Sequence, residues 1–132
     1  MTYRVFIVED LERMRSLLID LFSSTGRFQV MGTASTEAEA NLWVEDFPDR
    51  WDVAIIDLVL AEGTGMNVIA RAKRANPKGR VVVLSGFVSP AVDQHCRDMG
   101  AEEVFDKAYT DAFVRWLDGL EDLSPEGGAP RA

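Results

Sequence analysis

The spacing of five short apolar segments constrains the fold of this chain more than any other feature. The segments begin at positions 3, 28, 52, 80 and 103, so successive starts lie 25, 24, 28 and 23 residues apart. One strand, one helix and two turns occupy about that length, which predicts a repeated strand–helix unit. The predicted strands are continuously apolar or rich in β-branched residues, as in strands covered by helices on both faces. They span residues 3–8, 28–34, 52–56, 80–84 and 103–105.

Periodic apolar residues between the segments predict five helices. The first predicted helix carries the stripe Met14, Leu17, Leu18, Leu21 and Phe22. Thr36 and Glu39 are spaced as a capping box, and Ser89-Pro90 is a typical helix start. A third helix fits residues 66–75, and the stripe of the fifth is Ala112, Phe113, Trp116, Leu117 and Leu120. Right-handed crossovers then give a parallel sheet with helices on both faces, and five strands favour an open doubly wound sheet over a barrel.

The length and composition exclude several classes of protein. A chain of 132 residues suits one domain, predicted to span 1–122, with a flexible Pro/Gly-rich tail at 123–132. The net charge of −8 disfavours partners such as nucleic acid or an anionic membrane. The single Cys96 excludes an internal disulfide, and no apolar run approaches the ~20 residues of a membrane span. We therefore expect a cytoplasmic domain without a separate DNA-binding output domain.

Polar residues follow four of the five predicted strands. Glu9 and Asp10 come after the first strand, Asp57 after the third, Ser85 after the fourth and Lys107 after the fifth. In an open parallel sheet, ligands bind at the carboxyl ends of the strands. Three gathered carboxylates repel one another unless a cation joins them, and Mg²⁺ accepts such oxygen ligands. Acids, a hydroxyl and an ammonium together suit phosphoryl transfer, although strand-end acids often only cap the next helix.

With these residues in this order, positions 3–120 resemble a response regulator receiver domain of two-component signalling. The marks are the pair Glu9-Asp10, Asp57 with Gly65 eight residues later, the step Ser85-Gly86, and Lys107. The resemblance implies an α/β flavodoxin-like fold: a (βα)5 doubly wound parallel sheet with strand order 2-1-3-4-5. It also implies a single-domain regulator that is a signalling phosphoacceptor, not an enzyme with a separate substrate.

The resemblance implies a role for each matching residue at a metal site. Asp57 is expected to accept a phosphoryl group from the phosphohistidine of a sensor histidine kinase or a histidine phosphotransfer protein. Asp10 and Asp57 are expected to bind Mg²⁺ directly and Glu9 mainly through water. The backbone carbonyl of Val59 is expected to supply a further ligand.

The phosphoryl oxygens are expected to contact a second set of residues. By the same resemblance, Ser85 and Lys107 hold those oxygens, and Gly86 leaves space for the phosphoryl group. An unknown downstream protein is expected to contact residues 89–120, and the resemblance leaves a homodimer open.

Three positions depart from the family pattern. Ala108 follows Lys107 where the family usually has a proline with a cis bond, and a non-proline cis bond costs roughly 2.5–4 kcal/mol. Ala61 stands where the family often has a proline, so the loop LAEGTG is expected to be more mobile than is usual in the family. Val104 stands where the family has an aromatic switch residue, and its neighbour Phe105 is expected in the core. Coupling should therefore run through Ser85 and the loop 86–89.

Other functions fit the sequence less well. A phosphatase of the haloacid-dehalogenase type needs a second acid two residues after its nucleophile, where this chain has Val59. A flavin carrier needs a Ser/Thr/Gly-rich phosphate loop after the first strand, but EDLERMR is acidic. The main alternative is a degenerate receiver that docks partners without phosphorylation, which failure to bind Mg²⁺ or to accept phosphate would favour.

Overall fold

The computed structural model describes residues 2–120, so the predicted boundary at 122 and the tail at 123–132 lie outside the described residues. Strands and helices alternate through the whole of the described chain. The strands are β1 (Tyr3–Val8), β2 (Phe28–Ala34), β3 (Val53–Ile56), β4 (Arg80–Ser85) and β5 (Glu103–Asp106). The helices are α1 (Glu12–Thr25), α2 (Glu37–Asp46), α3 (Gly65–Ala75), α4 (Pro90–Met99) and α5 (Thr110–Leu120).

The five strands form one parallel sheet in the order β2-β1-β3-β4-β5, which confirms the predicted flavodoxin-like fold. The register aligns the carboxyl ends of the strands, with Val8 opposite Ile56 and Ser85 opposite Asp106. The pairing continues just past β3, because the backbone N–H of Asp57 donates to the carbonyl of Val8 at 2.9 Å. The residues that follow β1, β3, β4 and β5 therefore reach the same edge of the sheet.

A separate apolar core lies on each face of the sheet. Alternate residues of β1 divide between them: Phe6 and Val8 pack under α2, α3 and α4, whereas Val5 and Ile7 pack under α1 and α5. All four side chains are buried, and full burial of one such side chain contributes about 1.5–3 kcal/mol. Burial on both faces explains why the strand segments are continuously apolar.

Within residues 2–120, no helix has the length and apolar character to cross a membrane.

The predicted helix starts are confirmed by hydrogen bonds. The side chain of Thr36 accepts from the backbone N–H of Glu39 at 3.1 Å, and that of Ser89 accepts from Val92 at 3.2 Å. The carboxylate of Glu39 reaches back to the N–H of Ser35, one residue before the cap. Helix α1 has Leu11 as its cap residue and no side-chain cap bond, whereas Oε2 of Glu9 accepts from the backbone N–H of Leu11 at 3.2 Å.

One prediction about packing is wrong. Leu17 was expected on the buried stripe of α1, but its side chain is 58% exposed. It borders an open apolar groove between α1 and α5, to which Phe113 and Val114 contribute from the α5 side. Leu18 and Phe22 are the buried residues of α1. The apolar stripe predicted from the sequence therefore includes more residues than the helix buries.

Candidate phosphoryl-transfer site

The predicted acids meet at the carboxyl edge of the sheet. Glu9, Asp10 and Asp57 each offer a carboxylate oxygen, and these three atoms all lie within 4.8 Å of one another. Glu9 and Asp57 are only 2% and 5% exposed, whereas Asp10 is half-buried. Burial of two carboxylates so close together costs free energy unless positive charge compensates them.

Lys107 supplies the first part of that compensation. Its Nζ lies 2.7 Å from Oε1 of Glu9 and 2.7 Å from Oδ2 of Asp57. Burial raises the pKa of Glu9, and the hydrogen bond from Lys107 opposes that rise. The pKa of Lys107 is raised. Burial acts to lower this pKa, but the hydrogen bonds to Asp57 and Glu9 outweigh the effect of burial. The ammonium therefore stays charged between the two carboxylates.

The donor set of this cluster fits a hard divalent cation. Three carboxylates face one ammonium, so the cluster keeps an excess of negative charge after the ion pairs with Lys107. All three offered ligand atoms are oxygens, which Mg²⁺ prefers. The residues present thus fit a magnesium site, as the sequence predicts.

Ser85 and the residues after it lie beside the acids. Ser85 is fully buried, its carbonyl accepts from the N–H of Lys107 at 2.9 Å, and its hydroxyl accepts from the N–H of Phe87 at 3.3 Å. Gly86 is exposed, and an added Cβ there would meet nothing within 4 Å. The hydroxyl of Ser85 therefore holds the start of the β4–α4 loop, and the backbone at Gly86 lies beside open space.

The acids open into a pocket of about 280 Å³. Its rim carries three exposed apolar side chains, those of Leu11, Val59 and Phe87, of which Phe87 is 69% exposed. Sequence reasoning missed Leu11 and Phe87, although each is a large apolar residue inside a strand-end loop. The other residues that line the pocket are Asp10, Asp57, Gly86 and Lys107.

The loop between β3 and α3 folds back onto Asp57. The backbone N–H of Val59 donates to Oδ1 of Asp57 at 3.3 Å, and Val59 forms an isolated bridge with Thr64. Gly65 then passes directly over the backbone of Asp57. A Cβ on Gly65 would lie 1.9 Å from the carbonyl oxygen of Asp57.

We therefore expect Gly65→Ala to destabilise the fold by about 3 kcal/mol, the upper end of the usual cost of overpacking. Urea unfolding followed by tryptophan fluorescence measures this loss. Gly119→Ala is the control, because a Cβ there meets nothing within 4 Å and the exposed site lies in helix α5. Equal stability of the two variants would show that the close approach at Gly65 has no energetic importance.

The fifth strand places Val104 and Phe105 on opposite faces of the sheet. Val104 lies opposite Val83 and packs against the core under α3 and α4, outside the pocket lining. Phe105 packs against Phe113 at a ring-centroid distance of 5.6 Å, which confirms its expected place in the core. The Lys107–Ala108 peptide bond is trans, as expected for a residue other than proline.

Arg15 is a contact that sequence reasoning missed. Its Nη1 donates to the backbone carbonyl of Glu9 at 2.9 Å and to Oγ of Ser35 at 3.2 Å. The guanidinium thus joins α1 to the ends of β1 and β2 and fixes the backbone that carries the acids. Nothing in the local pattern around Arg15 distinguishes it from a surface arginine.

The sequence model of the response regulator receiver domain matches residues 5–114, most of the chain. The chain belongs to the response regulator receiver domain family. Receiver domains are the signalling phosphoacceptors of two-component systems.

Two relatives and one solved structure illustrate the similarity. Chemotaxis protein CheY of Thermotoga maritima is 27% identical over 112 residues, which cover 84% of this chain and 90% of that protein. The transcriptional activator DevR/DosR of Mycobacterium tuberculosis is 33% identical over 86 residues, 65% of this chain but only 39% of that protein. The CheX-CheY-BeF3-Mg²⁺ complex of Borrelia burgdorferi gives a TM-score of 0.76 at 20% identity, covering 88% of this receiver domain and 89% of that chain.

Proposed function

We propose that this receiver domain accepts a phosphoryl group on Asp57 in a Mg²⁺-dependent reaction and signals through protein contact. The observation that carries the proposal is the environment of Asp57, a buried carboxylate that pairs with Lys107 at 2.7 Å and borders a 280 Å³ pocket. The pocket is open to solvent at a rim of apolar side chains, so a phosphohistidine on another protein has a route to the carboxylate. The proposed donor is a sensor histidine kinase or a histidine phosphotransfer protein.

In the transfer, an oxygen of Asp57 forms a bond to phosphorus as the bond from phosphorus to the histidine nitrogen of the donor breaks. The ammonium of Lys107 lies beside Asp57 and neutralises charge on the incoming phosphoryl oxygens. The hydroxyl of Ser85 accepts from the N–H of Phe87, which leaves its own O–H free to donate to a phosphoryl oxygen. The domain catalyses only this transfer and the slow hydrolysis of its own acyl phosphate.

Mg²⁺ would be held by the carboxylates of Asp10 and Asp57 and by the backbone carbonyl of Val59, with the carboxylate of Glu9 acting mainly through water. When bound, the ion supplies positive charge that lowers the repulsion between the carboxylates and the phosphoryl group. Arg15 keeps the backbone of Glu9 in place through its 2.9 Å bond to the carbonyl. The cluster at the end of the sheet thus binds the phosphoryl group and orients it.

The test is labelling by acetyl phosphate at increasing concentrations of Mg²⁺. We expect Asp10→Ala to need at least about tenfold more Mg²⁺ for half-maximal labelling, because it removes a charged oxygen ligand. Asp20→Ala removes an exposed carboxylate from α1 and controls for net charge. An unchanged requirement in Asp10→Ala would contradict the proposed magnesium site.

The proposed switch runs through Ser85. Movement of its hydroxyl toward a phosphoryl group draws the bonded N–H of Phe87 with it and pulls the loop 86–89, whereas Val104 packs outside the pocket. With beryllofluoride as phosphoryl mimic, we expect Ser85→Ala to weaken the amide shifts across residues 89–120 and Val104→Ala to leave them nearly normal. Equal shifts in wild type and Ser85→Ala, with the mimic bound to both, would exclude Ser85 as the coupling residue.

The proposed output is contact of residues 89–120 with a downstream protein or a second copy of the chain, in the cytoplasm. The alternative is a degenerate receiver that docks partners without phosphorylation. The joint presence of Asp57, Lys107 and the acid cluster favours phosphoacceptance, since a docking module has no need of buried charges that cost free energy.

A further inference from the structure

The carboxylate of Glu37 ties the first turn of α2 to the loop that follows Asp57. Its Oε1 accepts from the backbone N–H of Thr64 at 2.9 Å, and both of its oxygens lie 3.3 Å from Nδ2 of Asn67. The backbone N–H of Glu37 donates in turn to the carbonyl of Glu62 at 3.0 Å. One acidic residue therefore makes contacts with both sides of the turn at residues 62–64 and with the start of α3.

The turn is shaped to meet that carboxylate. Gly63 has φ of 79°, a conformation that favours glycine, and an added Cβ would lie 2.4 Å from Cβ of Glu37. Thr64, whose N–H is held by Glu37, also caps α3 and donates from its hydroxyl to the carbonyl of Leu58 at 3.3 Å. Glu37 thus acts on the residue that closes the β3–α3 loop.

The same loop carries Val59 to the acid cluster. Val59 forms a bridge with Thr64, and its N–H donates to Oδ1 of Asp57. Its carbonyl is the backbone ligand in the proposed magnesium site. A contact that fixes Thr64 therefore fixes the position of Val59, even though Glu37 is not one of the residues that line the pocket.

We propose that Glu37 is a positioning residue for the magnesium and phosphoryl site and that it couples occupation of that site to helix α2. This inference rests on the proposed function of the site. Ala61 stands in this loop where the resemblance leads one to expect proline, so the restraint comes from the bonds to Glu37 instead of from a fixed φ. A shift of the loop on metal binding is transmitted to the first turn of α2 through the same bonds.

The experiment compares Mg²⁺ affinity in three variants of the full chain, measured by amide shifts. Glu37→Ala should weaken Mg²⁺ binding by about tenfold, the lower end of the usual effect of residues that orient metal ligands. Glu37→Gln should restore most of the affinity, since an amide oxygen still accepts from Thr64. Glu39→Ala is the matched control: it removes the same charge and a 2.8 Å bond to Ser35 from the same helical turn, and it should bind like wild type.

Hydrogen exchange of the metal-free protein gives a readout that is independent of Mg²⁺. In Glu37→Ala, we expect the amide of Thr64 to exchange faster while that of Ile55, in the centre of the sheet, is unchanged. In wild type, Mg²⁺ should shift the amides of Glu37 and Ala40 in α2, and this response should disappear in Glu37→Ala.

Two results in the variants would overturn the inference. Affinity in Glu37→Ala equal to that in Glu39→Ala would show that Glu37 does not position the site. Faster exchange at both Thr64 and Ile55 would show that Glu37 only stabilises the fold. If wild type binds no Mg²⁺, the proposed function fails and this inference with it, a failure distinguished from the first two because it precedes any substitution.

Discussion

Replacement of Asp57 by asparagine is expected to reduce labelling by acetyl phosphate and Mg²⁺ to background. The amide of asparagine carries no negative charge and is a poor nucleophile toward phosphorus, and no other carboxylate in the cluster occupies the same place beside Lys107 and the pocket. The label on wild type should be one phosphoryl group, and it should be released by hydroxylamine, as an acyl phosphate is.

Asp20→Asn is the control for this experiment, because Asp20 is an exposed aspartate outside the cluster and its replacement changes the charge equally. Circular dichroism of both variants establishes that the fold is kept. Persistent labelling of Asp57→Asn at the wild-type level would place the phosphoryl group elsewhere and contradict the proposed mechanism.

Replacement of Lys107 by methionine is expected to destabilise the metal-free protein by about 3 kcal/mol. The ammonium of Lys107 is the shared partner of Glu9 and Asp57. Without it, these two buried carboxylates would face each other with no positive charge between them. Mg²⁺ should recover part of the lost stability, since the ion supplies positive charge to the same carboxylates. Urea unfolding with a chelator and with Mg²⁺ measures both effects.

The control for this prediction is Lys78→Met, which removes an exposed lysine from the loop before β4. Surface substitutions of this kind usually change stability by less than about 0.5 kcal/mol. If Lys107→Met and Lys78→Met were equally stable in the presence of a chelator, the pairing of Lys107 with the buried acids would contribute nothing to the fold.

The fold was predictable because its strands are buried on both faces. Continuous apolar segments such as VFIV and VVVL occur at intervals of one strand and one helix, and this rhythm admits few other topologies. The caps Thr36 and Ser89 were equally predictable, since a capping side chain bonds to a backbone N–H only a few residues along the chain. The exposure of Leu17 was not predictable, because the number of apolar positions that a helix buries depends on the element it packs against as well as on its own sequence.

The charged residues of the candidate site could be named from the sequence, but the apolar rim residues Leu11 and Phe87 and several contacts could not. Strand ends bring Glu9, Asp57 and Lys107 to one edge, yet their spacing does not show that one ammonium pairs with both carboxylates. Contacts made by residues outside the strand ends were missed altogether. Arg15 and Glu37 act from helices on the backbone of the loops, and a surface residue that reaches a loop has no local sequence signal.

The most direct test of the account is to locate the phosphoryl group after treatment with acetyl phosphate. Wild-type protein is labelled with Mg²⁺ or with a chelator, digested, and mapped by mass spectrometry of its peptides. We expect a single modified peptide, with the phosphoryl group on Asp57, formed with Mg²⁺ and absent with the chelator. A phosphoryl group on another residue, or labelling that is equal with and without Mg²⁺, would contradict it.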